Sequence, residues 1–489
     1  MVTVMKILIC ISLITVLLAG CSVGPDYRRP DAPATDTYTA TDLPEKTASA
    51  PGAAGNEQRF VIGQEISDQW WTLFHCEALD QLIRRALAHS PTIAATEAAL
   101  RQAQENWRAE AGTLFPSVDA SASASRQKIS GASFGQPGGF GPLTLYNASV
   151  NVSYALDIFG GTRRNLEALQ AQIDYERFLV EAAYLTLTSN IVTSAVKEAS
   201  LREQIRTTQE ILQVQEKGLY LVKRQFEIGS ASRPDILAQE TQLAQTRSTL
   251  PPLERQLSQV RHQLAVLTGA FPADAKGFPV FDLDGMQLPE ELPVSLPSSL
   301  VEQRPDIRAS EELLHAASAR IGVATANLYP QISLTGSYGS ESTKLSDIFK
   351  SNASIWSIAG GLVQPVFHGG TLTAQRRAAI AAHDQAAAQY QETVLQAFQN
   401  VADVLIALDT DASALEAQVD AEAAAANALQ LTQKQFQFGA ASYLSLLNAE
   451  RQYRQTRLGL VQARAARFAD TAALFQAMGG GWWKKGDNP

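Results

Sequence analysis

Cys21 is the residue whose surroundings most clearly define a chemistry. It directly follows Leu18-Ala19-Gly20, and a short apolar run lies ahead of it, behind the single positive charge of Lys6. The run is too short and too close to the N-terminus for a lasting membrane span, so it predicts a signal peptide. Small residues before a cysteine at the cleavage point are typical of bacterial lipoproteins. We therefore predict that residues 1–20 are removed, that the Cys21 thiol takes a diacylglycerol and that its freed amine takes a further acyl chain.

The alternative to lipidation is an ordinary signal peptide with a cysteine there by chance. Ser22 follows the cysteine, and an aspartate there would favour retention in the inner membrane. The sequence thus favours the outer membrane of a Gram-negative bacterium. Cys10 is lost with the signal peptide, so Cys76 is left alone and no disulfide framework is predicted; the role of Cys76 stays open.

The other residue types that could support catalysis are scattered. None of the six histidines has a second histidine four residues away, which is the spacing of a helical zinc site. The glycines from Gly135 to Gly141 are not followed by the Gly-Lys-Ser/Thr of a phosphate-binding loop. A net charge of −9 argues against nucleic acid as a partner. We predict no enzyme activity, no metal and no cofactor other than the lipid on Cys21.

The rest of the chain is predicted to be an internal duplication. The segments 91–116 and 305–330 each run from proline to proline over the same distance. Further along, Gln225-Phe226-Glu227-Ile228-Gly229 matches Gln435-Phe436-Gln437-Phe438-Gly439 at an offset of 210 residues. Matching anchors in the same order indicate two copies of one structural unit.

These features predict six regions. They are a lipoprotein signal peptide at 1–20, a lipid anchor and extended tether at 21–63, a first repeat at 64–269, a linker at 270–300, a second repeat at 301–480 and a C-terminal tail at 481–489. The tether and the linker are assigned because prolines are dense in both. Each repeat is predicted to run helix, strand, strand, very long helix, helix.

The predicted strands alternate between apolar and small polar residues. Val150, Val152 and Tyr154 alternate with Asn151 and Ser153. This period of two suits the wall of a membrane barrel between lipid and water, and it equally suits a soluble, half-buried sheet. Four strands, the last at about 354–367, cannot close a barrel, because the smallest membrane barrels have eight. Three copies would supply twelve.

The long helices carry apolar residues at heptad spacing. The stretch 162–227 contains no proline and only Gly218 as an interior glycine, which predicts a coiled-coil helix of roughly 100 Å. Two shorter helices, 91–114 and 232–268, are predicted to lie end to end along it. Polar residues at several heptad positions indicate either a solvated face or a water-filled lumen. Behind the signal peptide no segment approaches about 18 consecutive apolar residues, so any membrane crossing is assigned to strands.

Several motifs together resemble the TolC-like outer-membrane factors, in particular the lipoprotein branch that includes OprM and the NodT-type proteins. The motifs are Cys21-Ser22-Val23-Gly24-Pro25-Asp26-Tyr27 with Arg29-Pro30, Trp70-Trp71 with Leu79, Arg304-Pro305-Asp306-Ile307, Leu156-Asp157-Ile158-Phe159-Gly160 and the two Gln-Phe-x-x-Gly turns. The resemblance implies a mainly α-helical fold with a transmembrane β-barrel portion. It implies a homotrimer with a twelve-stranded barrel, a long periplasmic helical tunnel and an equatorial belt near 270–300.

The same resemblance implies a function and partners. The protein would be the exit duct of a tripartite efflux system, passively conducting drugs or other small molecules. Its partners would be a periplasmic adaptor and an inner-membrane pump, most simply of the resistance-nodulation-division type, besides outer-membrane lipid. The alternatives are the outer-membrane component of a type I protein secretion system and a non-channel coiled-coil lipoprotein scaffold or adaptor.

The resemblance also implies where the channel closes. Members of the family close their periplasmic tip just after the second Gln-Phe-x-x-Gly turn, which corresponds here to Leu444, Ser445, Leu447 and Asn448. Many members have an aspartate where this chain has Asn448, and some have one where it has Ser445. The gate would therefore depend on leucine and amide contacts. Asp235, which matches Ser445 in the first repeat, would supply the missing acid.

Replacing Cys21 by alanine tests the lipidation. We expect an uncleaved precursor or a mislocalised protein, because the acyl acceptor of the processing pathway is gone. Intact mass of the wild type should give an N-terminus at Cys21 with acyl chains attached. Cleavage elsewhere without lipid would contradict the assignment.

Overall fold

A computed structural model describes residues 22–128 and 141–484. The predicted lipidation site Cys21 lies outside these residues. The chain divides into two units. Residues 22–30, 99–128, 141–176 and 309–391 form the sheet unit, and residues 31–98, 177–308 and 392–484 form the core unit.

The described residues form helices and strands in both repeats. The helices are α1 Glu77–His89, α2 Pro91–Ala111, α3 Gly161–Glu227, α4 Arg233–Ser248, α5 Leu250–Leu267, α6 Pro297–Gln303, α7 Pro305–Ala326, α8 Thr371–Gln437 and α9 Tyr443–Ala477. The strands are β1 Arg59–Ile62, β2 Ser117–Gln127, β3 Leu143–Leu156, β4 Glu291–Val294, β5 Gln331–Ser342 and β6 Ser354–Val363. Short 3₁₀ turns, among them Trp70–Phe74, connect them.

The two long helices have the same length and end at equivalent residues of the two repeats. Both α3 and α8 contain 67 residues. Each is followed by a glycine in the left-handed region, Gly229 with φ of 81° and Gly439 with φ of 74°. A side chain with a Cβ is strained in that conformation, so glycine ends both helices at the same point of the repeat.

The long strands form one antiparallel sheet in the order β2-β3-β5-β6. The register places Val152 beside Val118 and Gly336, and places Asn151 beside Asp119 and Ser337. Because side chains alternate along a strand, the sheet has two different faces.

The first, which we name the apolar face, carries valine, leucine, isoleucine, tyrosine, tryptophan and alanine. The second, the polar face, consists of residues 117, 119, 121, 123, 125 and 127 of β2, the odd-numbered residues 143–155 of β3, the odd-numbered residues 331–341 of β5 and residues 355, 357, 359, 361 and 363 of β6. Hydroxyl and amide groups hydrogen-bond across it, as between the Oγ atoms of Ser337 and Ser357 at 2.8 Å.

Proline corrects two predicted boundaries. The single helix predicted for 232–268 is divided, since α4 ends at Ser248 and α5 begins at Leu250 ahead of Pro251 and Pro252. Proline has no N–H for the preceding turn and is favoured in the first turn of a new helix. The last strand ends at Val363 rather than near 367, because Pro365 cannot donate to a ladder.

The predicted tether and linker are more ordered than expected. Strand β1, inside 21–63, pairs in parallel with β4, inside 270–300, as a separate two-stranded sheet that the sequence did not reveal. The 270–300 segment also supplies buried core side chains, including Phe281 and Leu292. Residues 31–63 and the 270–300 segment therefore pack in the core unit.

Arg467 on α9 holds the N-terminal segment in the core unit. Its side chain is 1% exposed, and its guanidinium donates to the carbonyl oxygens of Ala54 at 2.6 Å and Asn56 at 3.1 Å. It also donates to Gln58 Oε1 at 2.9 Å. Burial lowers the pKa of Arg467, yet a guanidinium stays charged in proteins, so these oxygens compensate a buried charge.

In the sheet unit, residues 22–30 bind to α3 and α7 as a strap. Gly24 has φ of 102°, and a Cβ there would lie 2.4 Å from the Cα of Gly322. The ring of Tyr27 stacks on His315 with centroids 4.2 Å apart. His315 lies between two carboxylates, with Nδ1 3.3 Å from Glu312 and Nε2 3.2 Å from Glu167.

Among the described residues, one helix is long and apolar enough to span a membrane by length and composition. It is α3, and half of the relevant stretch is buried inside the protein. Core helices of soluble proteins have this same property, so the stretch is weak evidence for a span. This stretch nevertheless qualifies the expectation that no segment behind the signal peptide is long and apolar enough to span a membrane.

The strap should loosen as the pH rises. Hydrogen bonds to Glu312 and then to Glu167 raise the pKa of His315 above its usual 6.5, against the opposing effect of burial. The stabilisation is therefore complete below the unfolded pKa of about 6.5 and is lost as the pH passes the higher folded pKa. Hydrogen exchange of residues 22–30, corrected for intrinsic rates, should accelerate over that range. His315→Gln should remove this dependence, and His89→Gln in the core unit should leave it intact.

Candidate functional site

The site predicted for gating lies where α8 turns into α9. Gly439 and Ala440 donate to the carbonyl oxygens of Phe436 at 3.0 Å and Gln435 at 2.8 Å, which closes the C-terminus of α8. Ser442 caps α9, because its Oγ accepts the N–H of Ser445 at 3.1 Å. The cap fixes the phase in which α9 starts, and hence which of its side chains face outward.

The equivalent turn of the first repeat has a carboxylate in addition to its serine cap, Ser232. Ser230 donates to the carbonyl of Gln225 at 2.8 Å at the end of α3. Asp235 Oδ2 then accepts from the N–H of Ser232 at 2.8 Å and from its hydroxyl at 2.6 Å. Asp235 is thus bound to the first turn of α4 as a capping group.

A small hydrophobic cluster joins the two turns. It consists of the buried side chains Val222, Ile236, Tyr443 and Leu447, which we name the tip cluster. Tyr443 Oη donates to Gln239 Oε1 at 2.6 Å, and Gln239 Nε2 donates to the carbonyl of Gln215 at 2.9 Å. These bonds link the start of α9 to α4 and α3.

The predicted gate residues separate into two groups within this geometry. Leu444 is 65% exposed, and Ser445 and Asn448 are exposed beside it on the first turns of α9. Leu447 is only 8% exposed and packs in the tip cluster. Asn448 Oδ1 accepts from Arg451 Nη2 at 3.0 Å. Leu444, Ser445 and Asn448 can face a neighbouring copy or a lumen, whereas Leu447 supports them from behind.

One functional candidate near the tip was not predicted from the sequence. Glu450 lies two turns into α9 and lines a cavity of about 230 Å³ with Gln433, Glu210 and Arg457. Its Oε2 atom is buried without a hydrogen-bond partner among the described residues. Burial raises the pKa of the Glu450 carboxyl to about 7.

The duplication explains why this carboxyl is unusual. Its equivalent in the first repeat, 210 residues earlier, is Glu240, which forms an ion pair with Lys223 at 2.9 Å. A hydrogen bond and the charge of Lys223 lower the pKa of Glu240. The residue equivalent to Lys223 is Gln433, so the second repeat keeps the acid without its cation. Comparison of the two repeats at this offset was the signal that could have identified Glu450.

No group of three or more metal-binding side chains is clustered in the part of the chain that the structure describes. The tip therefore offers surface contacts, hydrogen bonds and one buried acid. An arrangement of this kind can open and close a passage by repacking.

Comparison with known proteins defines the family. The model of the family described as "Outer membrane efflux protein" matches residues 82–270 and 296–480. The chain belongs to the outer membrane efflux protein family. It is 31% identical to the probable efflux pump outer membrane protein TtgC of Pseudomonas putida KT2440, over 98% of this chain and 96% of that protein. It is 32% identical to the pyoverdine export outer membrane protein OpmQ of Pseudomonas aeruginosa PAO1, over 88% and 92% respectively.

The structure agrees with this assignment. The outer-membrane channel OprN superposes with a TM-score of 0.84 at 28% sequence identity, over 94% of this chain and all of that one. The fold class predicted from the sequence, that of the trimeric outer-membrane channels of the TolC/OprM type, is confirmed. This efflux protein is an outer-membrane channel component of an efflux system. The predicted location in the outer membrane is confirmed as well.

The Glu450 carboxyl should make the tip less stable as the pH rises. The unfolded group ionises near pH 4.5 and the folded group near pH 7. The folded state thus loses stability between these values, by about 3 kcal/mol in total. Glu450→Gln should restore most of the lost stability at pH 8 and should change the stability little at pH 4.5. Hydrogen exchange of residues 443–453 measures this stability.

Glu240→Gln is the matched control in the first repeat. It removes an exposed ion pair and should leave stability nearly unchanged at either pH, because solvent screens charges at the surface. A Glu450→Gln protein whose stability keeps the wild-type pH dependence would refute the assignment of the buried acid.

Proposed function

We propose that this protein forms a homotrimeric exit duct, in which three four-stranded sheets close into a twelve-stranded barrel. The observation that carries the proposal is the sheet itself. In the described residues it has one apolar face, one polar face and two outer strands, β2 and β6, that each pair with another strand on one side only. Lipid would contact the apolar face, and the polar face would line a water-filled lumen.

The long helices extend this passage. Three copies of α3 and α8 would form a coiled-coil wall, and the polar residues at their heptad positions would then face water inside it. The six predicted regions of the chain serve as the framework of this proposal, with the strands β2, β3, β5 and β6 in the membrane. The protein would conduct passively and perform no catalysis.

The proposed partners follow from efflux by a tripartite system. A periplasmic adaptor would bind the duct, and an inner-membrane pump of the resistance-nodulation-division type would supply the energy. Because the similar proteins TtgC and OpmQ are named for efflux and for pyoverdine export, small molecules rather than whole proteins are the proposed cargo. This favours efflux over type I secretion.

The lipid on Cys21 would hold the duct in the outer membrane. Ser22, the next residue, belongs to the strap on the sheet unit, and Val23 donates its N–H to the carbonyl of Phe159 at 3.1 Å. A lipid attached beside Ser22 would therefore be close to the end of β3. No further cofactor is proposed.

The trimer is tested in detergent. We expect one species of three chains by light scattering, which migrates as a trimer on unheated gels and conducts in planar bilayers. The physical reason is that an unpaired strand edge in hydrocarbon leaves peptide groups without hydrogen bonds. A stable monomer with full conductance would exclude the proposed barrel.

Leu444 is proposed as the hydrophobic part of the gate. Leu444→Ala should raise single-channel conductance and admit bulky antibiotics such as vancomycin, because a ring of leucines can exclude water from a narrow passage. Leu431→Ala, at an exposed leucine earlier in the second repeat, is the control and should leave conductance unchanged. Lower trimer stability of Leu444→Ala without any change in conductance would show that Leu444 only packs.

Asn448 is proposed as the uncharged part of the gate, with Ser445 beside it and with Asp235 as the acid that matches Ser445 in the first repeat. Block by millimolar divalent cations should be weak in the wild type and stronger in Asn448→Asp, which creates a ring of carboxylates. Asn448→Gln keeps the site neutral and should behave like the wild type. Equal block of all three proteins would contradict the role of this position.

A further inference from the structure

The polar face of the sheet carries charge of one sign. Among its residues, only Asp119 on β2 and Glu341 on β5 are ionisable, and the rest are mainly serine, threonine, asparagine, glycine, alanine and a few aliphatic side chains. No lysine, arginine or histidine lies on it. The apolar face carries a single charge, Arg126, at the far end of β2.

The register fixes the position of both carboxylates. Asp119 is paired with Asn151, and Glu341 is paired with Asn147. The two asparagines are four residues apart on β3, so the carboxylates lie at levels separated by about 13 Å along the strands. The two carboxylates therefore place negative charge at two different levels of the polar face.

Neither carboxylate is neutralised within the described part of the chain. No ion pair involves Asp119 or Glu341 there, and Asn147 Nδ2 approaches Glu341 Oε2 only at 3.5 Å. The amide of Asn151 is directed elsewhere, to the hydroxyl of Ser121 at 3.1 Å. Both side chains are exposed, so they face water.

Lysines occur in the segments beyond the strands rather than on the polar face, and Lys128 directly follows β2. Lys350, in the loop between β5 and β6, already forms an ion pair with Asp347 at 2.6 Å. Lys344 lies in the same loop, two residues beyond the end of β5. The rest of the polar face has hydroxyl and amide groups, which bind water without favouring either sign of charge.

We propose that Asp119 and Glu341 make the sheet region of the duct selective for cations over anions. In the closed trimer each residue forms a ring of three carboxylates on the lumen wall, one near the helices and one near the loops. Small cationic molecules are enriched between the rings and anionic ones are depleted. The inference rests on the proposed function, because it requires the polar face to line the lumen.

This device differs from a charged gate at the tip. At the tip Ser445 and Asn448 are uncharged, and the carboxylate of Asp235 accepts hydrogen bonds from Ser232 in the cap of α4. Selection at the sheet would come from Asp119 and Glu341, which lie on the polar face. At about 0.1 M salt the screening length is roughly 10 Å, similar to the distance between the rings, and at 1 M it is roughly 3 Å. Selectivity is therefore expected to be marked at low salt and weak at high salt.

The test is the reversal potential of single channels in a tenfold gradient of KCl. It is measured for the wild type and in a Leu444→Ala background, in which the tip contributes less of the resistance. Potassium is expected to permeate better than chloride in both. Asp119→Asn and Glu341→Gln should each reduce the permeability ratio, and the double variant should bring it close to one. Asp42→Asn, an exposed acid of the N-terminal segment, removes the same charge elsewhere and should leave the ratio unchanged.

The outcomes separate this inference from the proposed function. A double variant that conducts like its parent with an unchanged reversal potential in both backgrounds overturns the inference alone. An inserted trimer that does not conduct even with Leu444→Ala overturns the duct itself. A ratio that falls equally in Asp42→Asn shows an effect of net charge and also overturns the assignment to the two rings.

Discussion

The two unpaired edges of the four-stranded sheet are the constraint on which the rest of the structure depends. In the part of one chain that the structure describes, β2 and β6 each present a row of peptide groups that pair with no other strand. Hydrocarbon offers no hydrogen bonds, so this sheet is stable in a membrane only when its edges meet those of other copies. The apolar and polar faces add a second demand, because they require lipid on one side and water on the other. Closure into a ring satisfies both demands together.

The duplication shows that the same backbone fold can carry different charged side chains at equivalent positions of the two repeats. The long helices of both repeats end at equivalent glycines, and both following helices start at a serine cap. The polar contacts differ, since Asp235 closes the first cap where Ser445 stands in the second. Lys223 pairs with Glu240, while the second repeat has Gln433 in place of the lysine, and Glu450 Oε2 is buried without a hydrogen-bond partner among the described residues. The charged turn and the neutral turn thus arise from a few substitutions on a common frame.

Local patterns predicted most of the fold, and non-local pairing explains what they missed. Heptad spacing without proline identified α3 and α8, and alternation identified β3 and β5, because each pattern depends only on neighbours in the sequence. The pairing of β1 with β4 joins segments more than two hundred residues apart, in stretches whose prolines indicated loops. At the tip, sequence could group Leu444 with Leu447 but could not separate them. Only the phase of α9, set by the Ser442 cap, exposes one and buries the other.

The aromatic residues at the helix-side end of the sheet give the N-terminal strap its physical role. Phe159, just after β3, stacks on Tyr329, just before β5, with centroids 4.8 Å apart, and Phe115 is exposed just before β2. Aromatic rings at strand ends are typical of the boundary between lipid and water. The bond from Val23 to Phe159 holds the strap at this level, and Gly24 allows its backbone to pass against Gly322. An acyl chain on Cys21 would thus enter the lipid at the level where the sheet does. The contacts of His315 with the strap would hold this lipid anchor and the sheet at the same depth in the membrane.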